Sequence, residues 1–360
     1  MSTTPRIDAS SVKRLLVVRL SAMGDVLHAL PAVRALRQAF PAAKIGWLIE
    51  ERWAELLCAP GAARCGERSE QRPLADCVHT VRLKEWRRSL FSRPTARQIS
   101  NAWNEVRAAG YDVAVDMQGS IRSAVLARWS RAPEIFGPVE PWEKPAAWFY
   151  THRVVTRGQH VVEQGHSLAE GVAGGPLDEA TVEMPRDRRS EVSVNSKLEQ
   201  FRLVDFAVLN PGAGWGAKQW PAQRYGAVAR ELARNGLCSV VNYGPGEEGL
   251  ADIVMRESGG AARPMQSSIS ELISILRRAK LFVGGDTGPM HLAAALKVPV
   301  VALFGPTDPA RNGPYGTASV VLRDPASVTS HARRAEPDPG LLRIRVEDVL
   351  KAAEKLLGTK

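Results

Sequence analysis

Apolar strands that run into glycine- or serine-containing loops and then into helical stripes recur along this chain, and that rhythm admits few folds. Residues 14–20 (RLLVVRL) lead to Ser21-Ala22-Met23-Gly24-Asp25, after which Val26, Leu27, Leu30, Val33 and Leu36 form an apolar stripe at helical spacing. Residues 44–49 (KIGWLI) read as a second strand, and 112–116 as a third that leads through Met117-Gln118-Gly119-Ser120 into a helix ending near Trp129. A second series begins near residue 205. Residues 206–210 run into Pro211-Gly212-Ala213-Gly214, a helix spans about 221–235, and 238–243 is a strand ending in Gly244-Pro245-Gly246-Glu247-Glu248. Residues 270–280 are helical, 281–284 a strand, 289–296 a helix and 298–304 a strand. Such alternation implies parallel sheets covered on both faces.

At 360 residues the chain exceeds the size of one core, so two Rossmann-like domains are expected, over residues 1–180 and 205–335. The polar stretch 181–204 is the expected linker region. Residues 336–360 end in a helix with Val346, Val349, Leu350, Ala353 and Leu356 on one face, free to pack back on the N-terminal domain. In open parallel sheets ligands sit beyond the carboxyl ends of the strands, which places the expected site in a cleft between two facing domains.

The apolar run 15–18 is short for a secretion signal, and the longest apolar candidate, 292–305, is broken by Lys297 and Pro299. A cytoplasmic protein is expected. Cys58, Cys65, Cys77 and Cys238 show no CxxC spacing, and disulfides are not expected in that compartment. Cys77 and His79 are close, but a metal site needs more ligands at regular spacing. The net charge of +10 fits nucleic acid, an anionic membrane surface or a phosphorylated substrate. No nucleic-acid-binding signature accompanies the charge, so no nucleic acid partner is expected.

Five segments carry chemistry. In residues 284–291 (GGDTGPMH) a strand ends in two glycines, Pro289 suits a first helical turn, and the helix N-terminus favours an anion; a plain cap by Asp286 or Thr287 is the competing reading. Residues 211–221 (PGAGWGAKQWP) offer a glycine cradle with Lys218 as a point charge, although the loop matches neither common phosphate-binding fingerprint. Glu247, after a strand, suits ribose hydroxyls or simply complements a helix dipole. Asp25 at a helix start is either structural or a general base. Residues 82–93 interleave basic and aromatic side chains, which suits a polyanionic acceptor or a membrane surface, or merely a solvated face.

Taken together, 21–31 (SAMGDVLHALP), 116–124 (DMQGSIRSA), 148–153 (WFYTHR), 218–221 (KQWP), 244–248 (GPGEE), 284–296 (GGDTGPMHLAAAL) and 304–309 (FGPTDP) resemble the lipopolysaccharide heptosyltransferases of glycosyltransferase family 9, most closely the heptosyltransferase I group. The resemblance spans nearly the whole chain. It implies a GT-B fold and inverting transfer of heptose from ADP-L-glycero-D-manno-heptose to a Kdo sugar of a Kdo-lipid A acceptor, without metal or other cofactor. It implies a peripheral enzyme on the cytoplasmic face of the inner membrane, and a monomer is expected. By position, Asp25 would be the general base. Gly212, Ala213, Gly214 and Lys218 would meet the donor phosphates and Glu247 the ribose, while Asp286, Thr287, Gly288 and His291 would surround diphosphate and sugar. Lys84, Arg87, Arg88 and Arg122 would meet the acidic groups of the acceptor. Ala213-Gly214 stands where some relatives carry hydroxyl residues, so donor contacts there fall to backbone N–H groups. The stretch 59–76 is longer than its counterpart in the family and bears on the acceptor. The competing functions are another nucleotide-sugar glycosyltransferase, a GT-B sugar-nucleotide epimerase, or a non-catalytic nucleotide- or polyanion-binding protein.

Overall fold

A computed structural model describes residues 11–89, 91–179, 181–330, 332 and 334–358. The chain divides into two compact units, Met1–Arg186 and Asp187–Lys360. The first holds strands β1 (Arg14–Val18), β2 (Lys44–Glu50), β3 (Cys77–Val81), β4 (Val113–Asp116), β5 (Glu134–Pro138) and β6 (His152–Val154). The second holds β7 (Phe206–Asn210), β8 (Cys238–Tyr243), β9 (Ala262–Gln266), β10 (Leu281–Gly285), β11 (Val300–Phe304) and β12 (Ser319–Arg323).

Every strand pairing is parallel, and the sheets are ordered β3-β2-β1-β4-β5-β6 and β12-β11-β10-β7-β8-β9. Read from its own first strand, each sheet has the same doubly wound order, so each unit is Rossmann-like. The order reverses between β1 and β4 in one unit and between β7 and β10 in the other. A doubly wound sheet opens a ligand crevice where its strand order reverses. Register sets Val18 beside Asp116 and Asn210 beside Gly284 at those carboxyl ends. Topology therefore brings the Asp25 loop next to the Gln118 loop, and the Gly212 loop next to residues 284–291.

Two expectations about organisation need correction. The stretch read as linker contains a helix, Arg188–Gln200, whose first turn is closed by Asp187 Oδ2 accepting from the Ser190 N–H at 3.0 Å. Val194 and Leu198, one turn apart, are its buried aliphatics, and it belongs to the second unit. The final helix, Val346–Leu357, also lies on the second unit, where Val349, Ala352 and Ala353 join the core formed by Trp220, Tyr225 and Leu232. Its apolar stripe is long enough to be buried only against a continuous core, which the second sheet supplies.

Trp220 locks that end in place. It is fully buried, stands edge-on to Tyr225 with ring centroids 4.9 Å apart, and donates its indole N–H to Ile344 O at 3.0 Å. Trp220→Ala removes the ring and its hydrogen bond, leaving Ile344 O to Arg224 Nη1 alone at 2.6 Å. We expect it to lower unfolding free energy by about 3–5 kcal/mol, measured by urea denaturation. Among the described residues no helix is long and apolar enough to cross a membrane.

Candidate active site

In the second unit, β10 ends in two glycines because neither position has room for a side chain. A Cβ on Gly284 would lie 2.7 Å from the Phe282 ring, and one on Gly285 would lie 2.9 Å from Lys218 O. That second approach carries Lys218 to the end of β10. Its ammonium donates to Asp286 Oδ2 at 2.5 Å and to Asp286 O at 3.3 Å, and it sits 4.8 Å from the centroid of Trp215. His291 Nε2 lies 3.1 Å from the other carboxylate oxygen. Asp286 is 7% exposed. Burial pushes its carboxyl up, but the contacts with His291 and Lys218 outweigh this and hold it well below the usual carboxylate range.

The competing reading of residues 284–291 was an ordinary helix cap. The structure removes it. Thr287 occupies the cap position of helix Gly288–Ala295, yet its side chain makes no cap hydrogen bond; the Thr287 hydroxyl donates to Gly285 O at 3.3 Å instead. Asp286 is turned to Lys218 and His291. The corner thus presents an uncapped helix N-terminus beside a lysine, an arrangement that favours an anion. Lys218, the point charge the sequence offered, is paired here with Asp286.

The neighbouring loop is built around Glu247. A Cβ on Gly212 would fall 2.2 Å from Glu247 Oε1, so only glycine lets this carboxylate pack against the loop. Glu247 Oε2 accepts from the Gly244 N–H at 2.8 Å. Beneath, Asn210 Nδ2 donates to Gly212 O at 3.0 Å, and Asn242 Nδ2 donates to Asn210 Oδ1 at 2.7 Å. Ala213 is half-buried and Gly214 exposed beyond this scaffold. In the loop after β11, the buried Thr307 hydroxyl has no hydrogen-bond partner among the described residues. Residues 304–309 had flagged that loop without giving Thr307 a part.

In the first unit Asp25 stands in the first turn of helix Met23–Ala39 and is 46% exposed on its side chain. Oδ2 accepts from the Ala22 N–H at 2.8 Å, and Oδ1 pairs with Arg19 Nη2 at 2.8 Å. Arg19, which the sequence reading passed over, also donates to Met117 O. Gln118 Oε1 accepts from the N–H groups of Leu20 and Ser21 at 2.9 and 3.3 Å, tying the two crevice loops together. Behind them Asp116 is buried and accepts from Gln118 N, Gly119 N, Ser123 Oγ and Tyr150 Oη at 2.8–3.1 Å. Burial nevertheless pushes its carboxyl up. Asp116 and Tyr150 explain two of the sequence motifs as scaffolding.

Helix Leu83–Arg88 is held down by buried Trp86, which donates to Gln98 Oε1 at 3.0 Å and leaves Lys84, Arg87 and Arg88 exposed. Arg122 is exposed on helix Ile121–Trp129. Lys84 and Arg122 share a neighbourhood with Glu50 at the end of β2. Burial pushes the Glu50 carboxyl up, while Arg52, Arg122 and Lys84 pull it down. Phe91, Trp142 and Trp148 are exposed aromatics of the same unit.

The cysteines depart from expectation. Cys65 and Cys77 are joined in a disulfide, because loop 59–76 folds back to form an isolated antiparallel bridge between them. Proximity across that bridge was invisible in their spacing.

Comparison with known proteins agrees with this geometry. The profile of glycosyltransferase family 9 (heptosyltransferase) matches residues 99–338. Lipopolysaccharide heptosyltransferase 1 of Pseudomonas aeruginosa is 29% identical over 325 residues, covering 86% of this chain and 83% of its own. The Escherichia coli protein of the same name is 28% identical over 318 residues, covering 87% and 94%. Among solved structures, the E. coli heptosyltransferase WaaC with ADP superposes with a TM-score of 0.76 at 26% identity, covering 95% of this chain and 99% of that one. A family 9 glycosyltransferase from Veillonella parvula reaches a TM-score of 0.82 at 23% identity, covering 99% of each chain, a likeness of fold alone. The architecture is therefore GT-B, built of two Rossmann-like domains.

Proposed function

Since this chain belongs to glycosyltransferase family 9, the heptosyltransferases, we propose that it transfers heptose from ADP-L-glycero-D-manno-heptose to a Kdo sugar of the lipopolysaccharide inner core, with inversion and without a metal ion. The observation that carries the donor half is the uncapped N-terminus of helix Gly288–Ala295 beside Lys218 and His291. Similarity to an E. coli heptosyltransferase solved with ADP and with ADP-2-deoxy-2-fluoro heptose supports the choice of donor.

In this reading the acceptor hydroxyl gives its proton to Asp25. Its oxygen then attacks the anomeric carbon from the face opposite ADP, so one displacement inverts the centre. Negative charge grows on the leaving diphosphate. It is met by the helix N-terminus, by backbone N–H groups of Gly212, Ala213 and Gly214, and by Lys218. Asp286 works by fixing Lys218 and His291 rather than by touching the anion, which its own charge would repel. Glu247 meets the ribose hydroxyls, and Thr287 and Gly288 line the phosphate side. Lys84, Arg87, Arg88 and Arg122 face the acidic groups of a Kdo-lipid A acceptor. The exposed Phe91, Trp142 and Trp148 on the same unit favour peripheral docking on an anionic lipid surface.

The test is a comparison of ADP release with donor alone and with donor plus Kdo-lipid A. ADP release only when acceptor is present supports transfer; an altered sugar nucleotide formed from donor alone overturns it in favour of epimerisation. Magnesium or manganese added after chelation should leave turnover unchanged.

A further inference from the structure

Four metal-binding side chains outside the transfer residues converge at one end of β3. Cys77 and His79 lie two residues apart on that strand and so share a face. Cys65 arrives from loop 59–76, which is firmly held: Val78 N–H donates to Arg64 O at 2.8 Å, and the buried Arg72 guanidinium donates to Ala63 O, Glu67 O and Ala75 O at 2.8–3.1 Å. Glu105 comes from helix Arg93–Ala108. The ligand atoms of Cys65, Cys77 and Glu105 all lie within 4.8 Å of one another. His79 Nδ1 is 3.9 Å from Cys77 Sγ and 2.6 Å from Glu105 Oε1.

The histidine is oriented as a ligand would be. It is 2% exposed, and its second nitrogen, Nε2, is 2.6 Å from the hydroxyl of buried Tyr111. A metal-binding imidazole typically has its other nitrogen held by such a partner, which fixes the ring and the tautomer. Metal–sulfur bonds near 2.3 Å and metal–nitrogen bonds near 2.0 Å put neighbouring ligand atoms about 3.5 Å apart in a tetrahedron. The Cys77–His79 separation of 3.9 Å is close to this.

We propose that Cys65, Cys77, His79 and Glu105 form a binding site for a zinc-class divalent cation in the reduced protein. Two thiolates, one imidazole and one carboxylate suit a borderline-soft tetrahedral ion. In the structure the two sulfurs are joined, and a sulfur in a disulfide offers no thiolate. The disulfide and the metal are therefore alternative closures of one loop. A dithiol reductant converts one to the other: the S–S bond breaks, the reductant becomes a disulfide, and each cysteine sulfur takes a proton. Metal binding then releases those protons to solvent. Either closure ties loop 59–76 to β3, the strand that leads directly into the basic helix Leu83–Arg88. None of the four ligands belongs to the proposed transfer machinery, so the ion would be structural.

The test is anaerobic titration of the full-length, reduced protein with Co2+. Thiolate-to-cobalt charge-transfer and tetrahedral ligand-field bands should grow to a single equivalent and vanish when Zn2+ is added. Cys65→Ser, an exposed loop position, should abolish the bands while ADP binding stays intact as the report of folding. A Cys58→Ser/Cys238→Ser variant should keep them, and Tyr111→Phe should weaken binding by about 10–100-fold. Protein oxidised to the disulfide should bind no Co2+ until reduced again. Reduced wild type without these bands, or Cys65→Ser retaining them, would overturn the proposal.

Discussion

Asp25→Ala is expected to leave ADP binding unchanged and to lower turnover by roughly 10²–10⁴-fold, the usual contribution of a positioned general base. The prediction rests on how the carboxylate is held. It is half-exposed, and Arg19 and the Ala22 N–H each engage one of its oxygens from behind. Those bonds fix its direction without using all its lone pairs. They also give the rival account its content, because Asp25 in a first helical turn stabilises the helix whether or not it reacts. A purely structural Asp25 predicts a loss of about 0.5–2 kcal/mol in stability with turnover per folded molecule intact. Asp25→Asn separates the two further. It keeps the shape and one acceptor oxygen but cannot take a proton at neutral pH, so rate should collapse while stability changes little. Rate measured at saturating donor and acceptor, alongside urea denaturation of both variants, decides between them.

Lys218→Ala should produce the second large effect, and on two properties at once. Lys218 and Asp286 form a largely buried pair, with side-chain exposures of 14% and 7%. Removing one partner of such a pair leaves an uncompensated buried charge and costs about 3–5 kcal/mol. The donor site also loses its cation, so ADP affinity should fall alongside stability. The pH dependence has a definite sign. The Asp286 carboxyl lies below its ordinary value in the folded protein. Its contribution to stability is therefore present above the unfolded value of about 3.9 and is lost as pH falls through the folded value. Without Lys218 one of the contacts that lower the folded value is gone while burial and His291 remain, so the folded value rises and less stability is lost over that acid range. Unfolding free energies measured from neutral to acid pH in wild type and Lys218→Ala should diverge least at the acid end. Parallel curves would show that the pair does not couple.

The fold was legible because burial on both faces of a parallel sheet writes continuous apolar runs into the sequence, as in residues 14–20, 206–210 and 298–304. Strands at or near the edges left weaker marks. β9 carries Pro264, tolerable only because it is an edge strand, and β6 is three residues long. Helix Arg188–Gln200 was hidden in a polar stretch because only one narrow stripe of it is buried.

For the candidate site, the sequence shows that Asp25, Glu247 and residues 284–291 follow strand ends. What the loops could not show was which charges pair. Lys218 meets Asp286 because β7 and β10 are neighbours in the sheet though distant in the chain. Glu50, the Cys65–Cys77 contact and the bond from Arg19 to Met117 O were missed for the same reason: those partners are set by register and by a loop that folds back, neither of which has a local signature.

The central claim is heptosyl transfer to an inner-core sugar, and mass spectrometry of the lipid product tests it most directly. Wild-type protein incubated with ADP-heptose and Kdo-lipid A should add one heptosyl unit to the lipid, while Asp25→Ala under the same conditions should add almost none. A lipid left unmodified by wild type, or heptosylation by Asp25→Ala at the wild-type rate, would contradict the account.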